Sequence, residues 1–125
     1  MADYQFKFEN LEAWQVARKL VVKVYKLVRK LPNEERFALC DQLRRAVISV
    51  PSNLVEGNSR TSVKDQIHFL DISLGSLSEV YCQLILAVDL GYITDDDLNS
   101  VKPEIFSTSR LLKGLKASKE AKLNP

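Results

Sequence analysis

The chain offers few residues for catalysis or metal chemistry: one histidine, two cysteines and four glycines among 125 residues. His68 follows Asp65 in a D-x-x-H pair on a predicted helix. Bundles that hold two iron ions use E-x-x-H pairs together with further carboxylates. No second pair and no row of inward carboxylates accompanies His68, so it reads as a solvated or interface histidine. Cys40 and Cys82 each fall inside an apolar helical pattern and read as buried free thiols. Unpaired thiols suit a cytoplasmic protein. The chain has no C-x-x-C-H, no G-x-S-x-G and no glycine-rich phosphate loop. The expectation is therefore no catalytic residue, no metal and no cofactor: a protein that is not an enzyme.

Charge is the next candidate. Lys19, Lys23, Lys26 and Lys30 recur every three or four residues and form a stripe on the first predicted helix. Acidic partners at helical spacing are nearly absent, since only Glu12 precedes the stripe. Arg18 and Arg29 flank the apolar seam. The C-terminus adds Arg110, Lys113, Lys116, Lys119 and Lys122 against Glu120. The net charge of +2 hides this polarity, because acids concentrate elsewhere: Asp65, Asp71, Glu79, Asp89 and Asp95 to Asp97. Such a stripe is either a solvated helix face or a phosphate-contacting surface for RNA or DNA. Few aromatics accompany the lysines, which gives no support to base stacking. Arg44, Arg45 and Arg60 form a second candidate anion site. The competing account pairs Arg44 or Arg45 with Glu79 or Glu56. Ser49, Asn53 and Glu56 make a separate polar stripe on the same helix.

The elements that carry these residues are helices. Apolar residues in three- and four-residue steps predict helices over about 11–30, 34–56, 63–90 and 95–117, in one domain over 1–125. The predicted seams are Trp14, Ala17, Val21, Val24 and Val28; then Cys40, Leu43, Val47, Val50 and Leu54. The third runs through Leu70, Leu74, Leu77, Tyr81, Leu84 and Val88, and the fourth through Leu98, Val101, Ile105, Leu112 and Leu115. Asn10 and Asn33 are predicted caps, as are Ser62 with Asp65 and Thr94 with Asp97. Gly57 and Gly91 read as helix stops. Pro51 lies inside the second helix and should kink it. After Leu115 the tail is expected to lose packing and fray. Short loops between four helices predict an up-down-up-down antiparallel four-helix bundle with a kinked second helix. No uninterrupted apolar run suggests a membrane span, and no secretory leader is apparent.

The third helix has apolar residues on a second side: Phe69, Ile72, Val80, Ala87 and Leu90. Ile48 and Val55 widen the apolar arc of the second helix. A helix apolar on two sides is usually buried on both. Helices two and three are therefore expected to form a homo-oligomer interface through Phe69, Ile72, Val80, Ala87, Ile48 and Val55. The alternative is scattered exposed apolar residues.

The stretches FENLEAWQVARKLVVKVYKL, DQLRRAVISVPSNLVEGNSR and FLDISLGSLSEVYCQLILAVDLGYI carry a resemblance. They are similar to the bacterial 23S rRNA intervening-sequence protein family, also called four helix bundle proteins. The resemblance spans about residues 6 to 115, and LRRAVISVPSNLVEG with Arg60 is its most specific piece. It implies a bundle that assembles into a ring, typically a homopentamer. It also implies two kinds of partner, nucleic acid or a protein such as a reverse transcriptase. The signature positions Arg44, Arg45, Ser49, Asn53, Glu56, Gly57 and Arg60 bring no assigned role. Together the charge pattern and the resemblance give two expectations. One is a non-enzymatic homo-oligomer that contacts nucleic acid, RNA first, through its basic surface. The other is a protein–protein adaptor with no direct nucleic-acid role.

Overall fold

Helix α1 spans Glu12–Val28, α2 Leu39–Asn58, α3 Val63–Asp89 and α4 Asp95–Leu123 in the computed structural model, which describes residues 6–124. Short 3-10 turns at Lys7–Asn10 and Asn33–Glu35 precede α1 and α2. No strand occurs among the described residues. Each helix packs on its sequence neighbours, and α1 packs on α4, which closes the up-down-up-down four-helix bundle.

The helix ends follow local chemistry where the side chains reach. Thr94 and Asp97 close α4 with a reciprocal pair: Asp97 N donates to Thr94 Oγ1 at 3.0 Å, and Thr94 N donates to Asp97 Oδ2 at 2.9 Å. Ser62 Oγ accepts from Asp65 N at 3.3 Å and caps α3. Gly91, at φ +79°, turns the chain after α3 while Tyr92 N donates back to Ala87 O. Two predicted caps do not form. Leu11, not Asn10, precedes α1, and neither its side chain nor any other caps that start. The chain after Pro32 makes a 3-10 turn, so α2 begins at Leu39 and leaves Phe37 81% exposed. Helix α2 continues through Pro51 without interruption. Helix α4 stays helical to Leu123, although nothing beyond Leu112 is fully buried.

The core contains the predicted seam of α2 intact: Cys40, Leu43, Val47, Val50 and Leu54. The seams of α1 and α3 are turned by a fraction of a turn. In α1 the inward residues are Ala13, Ala17, Leu20, Val24, Leu27 and Val28, so Ala17, Val24 and Val28 of the predicted seam face the core while Trp14 and Val21 are half-buried at the edge. In α3 they are Leu70, Ser73, Leu77, Val80, Leu84 and Ala87. Val80 and Ala87 have 0% exposure and so cannot meet another subunit. Their expected place on an outer face is corrected: they are the core stripe, and Leu74, Tyr81 and Val88 flank it. Cys82 is likewise exposed rather than buried. The reason is that α3 is apolar around most of its circumference, so periodicity alone leaves its rotation open. An 18-residue stretch of α3 has a mean hydropathy of 1.3, long and apolar enough to cross a membrane by length and composition alone.

What sets the rotation is close approach between α2 and α3. A Cβ on Gly57 would lie 2.9 Å from Phe69 Cβ and 3.2 Å from the Gln66 carbonyl oxygen. Gly57 is therefore a contact glycine inside α2 rather than the stop after it. Gly57→Ala is expected to destabilise the fold by about 1–3 kcal/mol, despite alanine's better helix propensity. A thermal melt followed by circular dichroism checks this; an unchanged or raised midpoint contradicts the close approach.

Candidate nucleic-acid interface

The four lysines of the predicted stripe do not share one environment. Lys23 Nζ donates to Glu104 Oε1 at 2.5 Å and reaches the Ser100 carbonyl oxygen at 3.4 Å. Lys30 Nζ donates to Asp97 Oδ1 at 2.7 Å. Both lysines therefore turn toward α4, whose acids are distant in sequence and close in space. Lys19 and Lys26 remain exposed and make no ion pair among the described residues.

Arg18 and Arg29 join them. Both are exposed and neither pairs with a carboxylate among the described residues. At 100° per residue, Arg18, Lys19, Lys26 and Arg29 fall within about 100° of arc, opposite the buried side of α1. The outward basic face is thus 18, 19, 26 and 29 rather than 19, 23, 26 and 30. Sequence reading set the two arginines aside as seam flanks because it placed the seam through Trp14 and Val21. A seam through Leu20, Val24 and Leu27 would have found them.

At the N-terminal end of this face lies an open groove of 640 Å³ between Glu9, Trp14, Arg18, Lys19 and Val22. The Arg18 guanidinium sits over the Trp14 ring, 5.3 Å from its centroid. Phe8 meets Trp14 edge-on at 5.1 Å, and Phe6 stacks on Phe8 at 5.9 Å. Trp14 is the one aromatic side chain that lines this groove among the described residues.

The second candidate anion site is largely neutralised. Asp41 serves both arginines, at 3.4 Å from Arg44 and 3.9 Å from Arg45. Glu56 Oε1 accepts from Arg60 at 2.5 Å, and the Arg60 guanidinium lies 4.8 Å from the Phe69 ring centroid. The partners differ from the expected Glu79 and Glu56 because one turn of helix brings Asp41 under Arg44 and Arg45. The polar stripe is a seam between helices. Ser49 Oγ and Ser76 Oγ are 2.8 Å apart, and Asn53 Nδ2 donates to Ser49 Oγ at 2.8 Å. Ser73 Oγ donates to the Val50 carbonyl oxygen at 2.7 Å from within the core. These bonds explain polar residues at positions where α2 meets α3.

The Lys30 ammonium and the Thr94 amide hold the Asp97 carboxyl below its ordinary value of 3.8. A carboxyl lowered in the folded chain adds stability at pH above its unfolded value. That stability is lost as pH falls through the lowered value. Asp97→Asn is expected to melt earlier than wild type at pH 7, with the gap closing as pH falls through the lowered value. Equal melting of the two proteins at neutral pH would show that the Lys30–Asp97 pair adds nothing.

His68 is exposed and stands edge-on to Phe69 at 5.3 Å. No group of three or more His, Cys, Asp or Glu side chains among the described residues is placed to hold a metal ion.

A family model described as 23S rRNA-intervening sequence protein matches residues 9–114, from the turn before α1 into α4. The chain belongs to that family. The 23S rRNA-intervening sequence protein model contains the α1 basic face and the α2–α3 polar seam, and it ends before Lys116, Lys119 and Lys122. Among solved structures, a protein of unknown function from the S23 ribosomal protein family of Bacteroides thetaiotaomicron VPI-5482 is similar to this family member. It is 25% identical, with a TM-score of 0.76 over 83% of this chain and 97% of that one. No curated protein matches the chain significantly.

Proposed function

We propose that this protein is a non-enzymatic homo-oligomer of the cytoplasm that contacts nucleic acid, RNA first, through phosphate groups. One observation carries the reading: Arg18, Lys19, Lys26 and Arg29 share an outward face of α1 with no carboxylate partner among the described residues. Lys23 and Lys30 are paired with acids of α4, whereas these four cations are not. Four left unpaired on one face leave room for phosphate.

A ring would extend the same reading, because it would repeat the face around its circumference. A ring built head to tail needs two different complementary patches per subunit. Exposed apolar residues form two. Ile48 (42%) and the half-buried Val55 lie on the flank of α2 turned away from α3. Ile72 (37%), Leu86 (47%) and Leu90 (57%) lie on α3, along the flank next to α2. The pentameric count is what membership in the family suggests. Phe69 is half-buried beneath Arg60 and closes one end of the α2–α3 contact.

The deciding experiment is a gel shift at low salt with nuclease-treated, full-length oligomer against RNA and DNA. The expected result is a shift that fades steeply as salt rises and depends little on sequence. Absence of any shift ends the nucleic-acid reading. The adaptor reading, with a protein partner such as a reverse transcriptase, then stands on another feature. It is the groove of 430 Å³ between α3 and α4, where Tyr81 meets Phe106 edge-on at 5.7 Å and Phe106 is 53% exposed.

A further inference from the structure

The basic face of α1 ends in an open groove that holds one aromatic side chain, Trp14, with Glu9, Gln15, Val22 and Lys23 beside Arg18 and Lys19. Trp14 is half-buried, flanked by the edge-on Phe8 ring on one side and covered by the Arg18 guanidinium at 5.3 Å. Phe6 stacks on Phe8 behind Trp14, outside the groove lining. Arg18 has no carboxylate partner among the described residues, and its guanidinium lies over the ring at cation–π distance. Lys19 lines the same groove, and Lys26 and Arg29 continue the positive charge along the helix, so that Arg18 to Arg29 spans about 16 Å.

A ligand that fits all of this needs a flat π-face to stack with Trp14 and Arg18, and anionic groups along its length for the cations. An unpaired nucleotide in a polynucleotide strand has both. In a duplex the base faces are stacked on one another, so only backbone charge is available to this surface. The groove volume of 640 Å³ lies within the range of sites that hold single small ligands. A carboxylate-bearing protein segment would match the charge but would leave the aromatic surface without a stacking partner.

We infer that the Trp14–Arg18 groove takes up one unpaired base of a single-stranded polynucleotide whose phosphates follow Lys19, Lys26 and Arg29. This rests on the nucleic-acid reading above and assigns it a strand type and a base subsite. No covalent step is involved.

Trp14 is the chain's one tryptophan, so its emission reports this groove alone. Full-length protein is titrated with a fluorescently labelled single-stranded RNA of mixed sequence and with the same strand in a perfect duplex, at low salt. Anisotropy of the label reads binding and Trp14 emission reads the groove. Expected are quenching by the single strand, saturating with its anisotropy, and no quenching by bound duplex. Trp14→Leu, which keeps apolar packing and removes the π-surface, is expected to weaken single-strand binding by about 5- to 150-fold. It should leave duplex binding within about twofold. Trp14→Phe restores part of the single-strand affinity, and equal helical content by circular dichroism shows that both variants are folded. Equal binding of both RNAs with unchanged Trp14 emission overturns the base subsite while the phosphate reading survives. Equal losses for both RNAs in folded Trp14→Leu also overturn it. No anisotropy change with either RNA overturns both.

Discussion

Changing Arg18, Lys19, Lys26 and Arg29 together to glutamine is expected to weaken RNA binding by roughly 30- to 1000-fold at moderate salt, with the bundle still folded. A screened surface ion pair contributes about 0.5–1 kcal/mol, so four give about 2–4 kcal/mol. The sharper readout is the salt dependence. Each phosphate contact to a single strand contributes about 0.7 to the slope of log K against log salt, so losing those of Lys19, Lys26 and Arg29 should lower the slope by about 2. Lys23 and Lys30 serve as the comparison. Their ammonium groups already meet Glu104 and Asp97, so glutamine there should cost the fold more than it costs binding. Removing Lys23 would also strip the partner from a carboxylate whose other oxygen, Glu104 Oε2, is already buried without a hydrogen bond. Should the fourfold variant bind as wild type does, with its slope unchanged, the α1 face is not the site. The exposed C-terminal cations Arg110, Lys113 and Lys122 would then be the next set to change.

The second large effect separates two residues of α3 that look alike in sequence. Val80→Asp is expected to abolish cooperative folding. Val80 has 0% exposure among Leu77, Leu84 and Ala87, and a carboxylate there would lose its water and gain no partner. Such a penalty is of order 5 kcal/mol or more, comparable with the whole stability of a domain this size. Ile72→Asp, at 37% exposure, places its charge at the surface and should shift the melting midpoint little. Its effect should appear in assembly instead. Light scattering at micromolar concentration should read an oligomer for wild type and the 14.2 kDa monomer for the variant. A cooperative melt from Val80→Asp would contradict the packing of α3. An unchanged mass for Ile72→Asp would remove α3 from the interface.

Much of the fold is legible in the residue pattern because helix signals are local. The number and order of helices follow from apolar periodicity, and the start of α4 follows from Thr94 and Asp97 meeting within one turn. The rotation of α2 is readable: Cys40, Leu43, Val47, Val50 and Leu54 repeat at helical spacing beside the polar Gln42, Ser49 and Asn53. That of α3 is not. Ile72, Val80, Leu86 and Leu90 are equally apolar, and nothing local tells which of them faces inward. The start of α2 was also missed, since Pro32 and Asn33 permit either a helix or a 3-10 turn.

The candidate site divides in the same way. Sequence alone places a basic stripe on α1 and polar residues on α2, because both are fixed by spacing along one helix. Which cations stay free is decided by Asp97 and Glu104, more than sixty residues away along the chain. They meet Lys30 and Lys23 only once α1 packs on α4. That contact releases no signal into local sequence, since charge pairing acts through space and not along the chain. The same is true of Gly57 and Phe69, whose close approach sets the rotation of α3. The amino-acid sequence by itself determines four amphipathic helices and their short antiparallel connections. Tertiary packing decides how each helix is rotated. It thereby decides that Val80 belongs to the core, that Ile72 faces outward, and that Arg18 and Arg29 stand with Lys19 and Lys26.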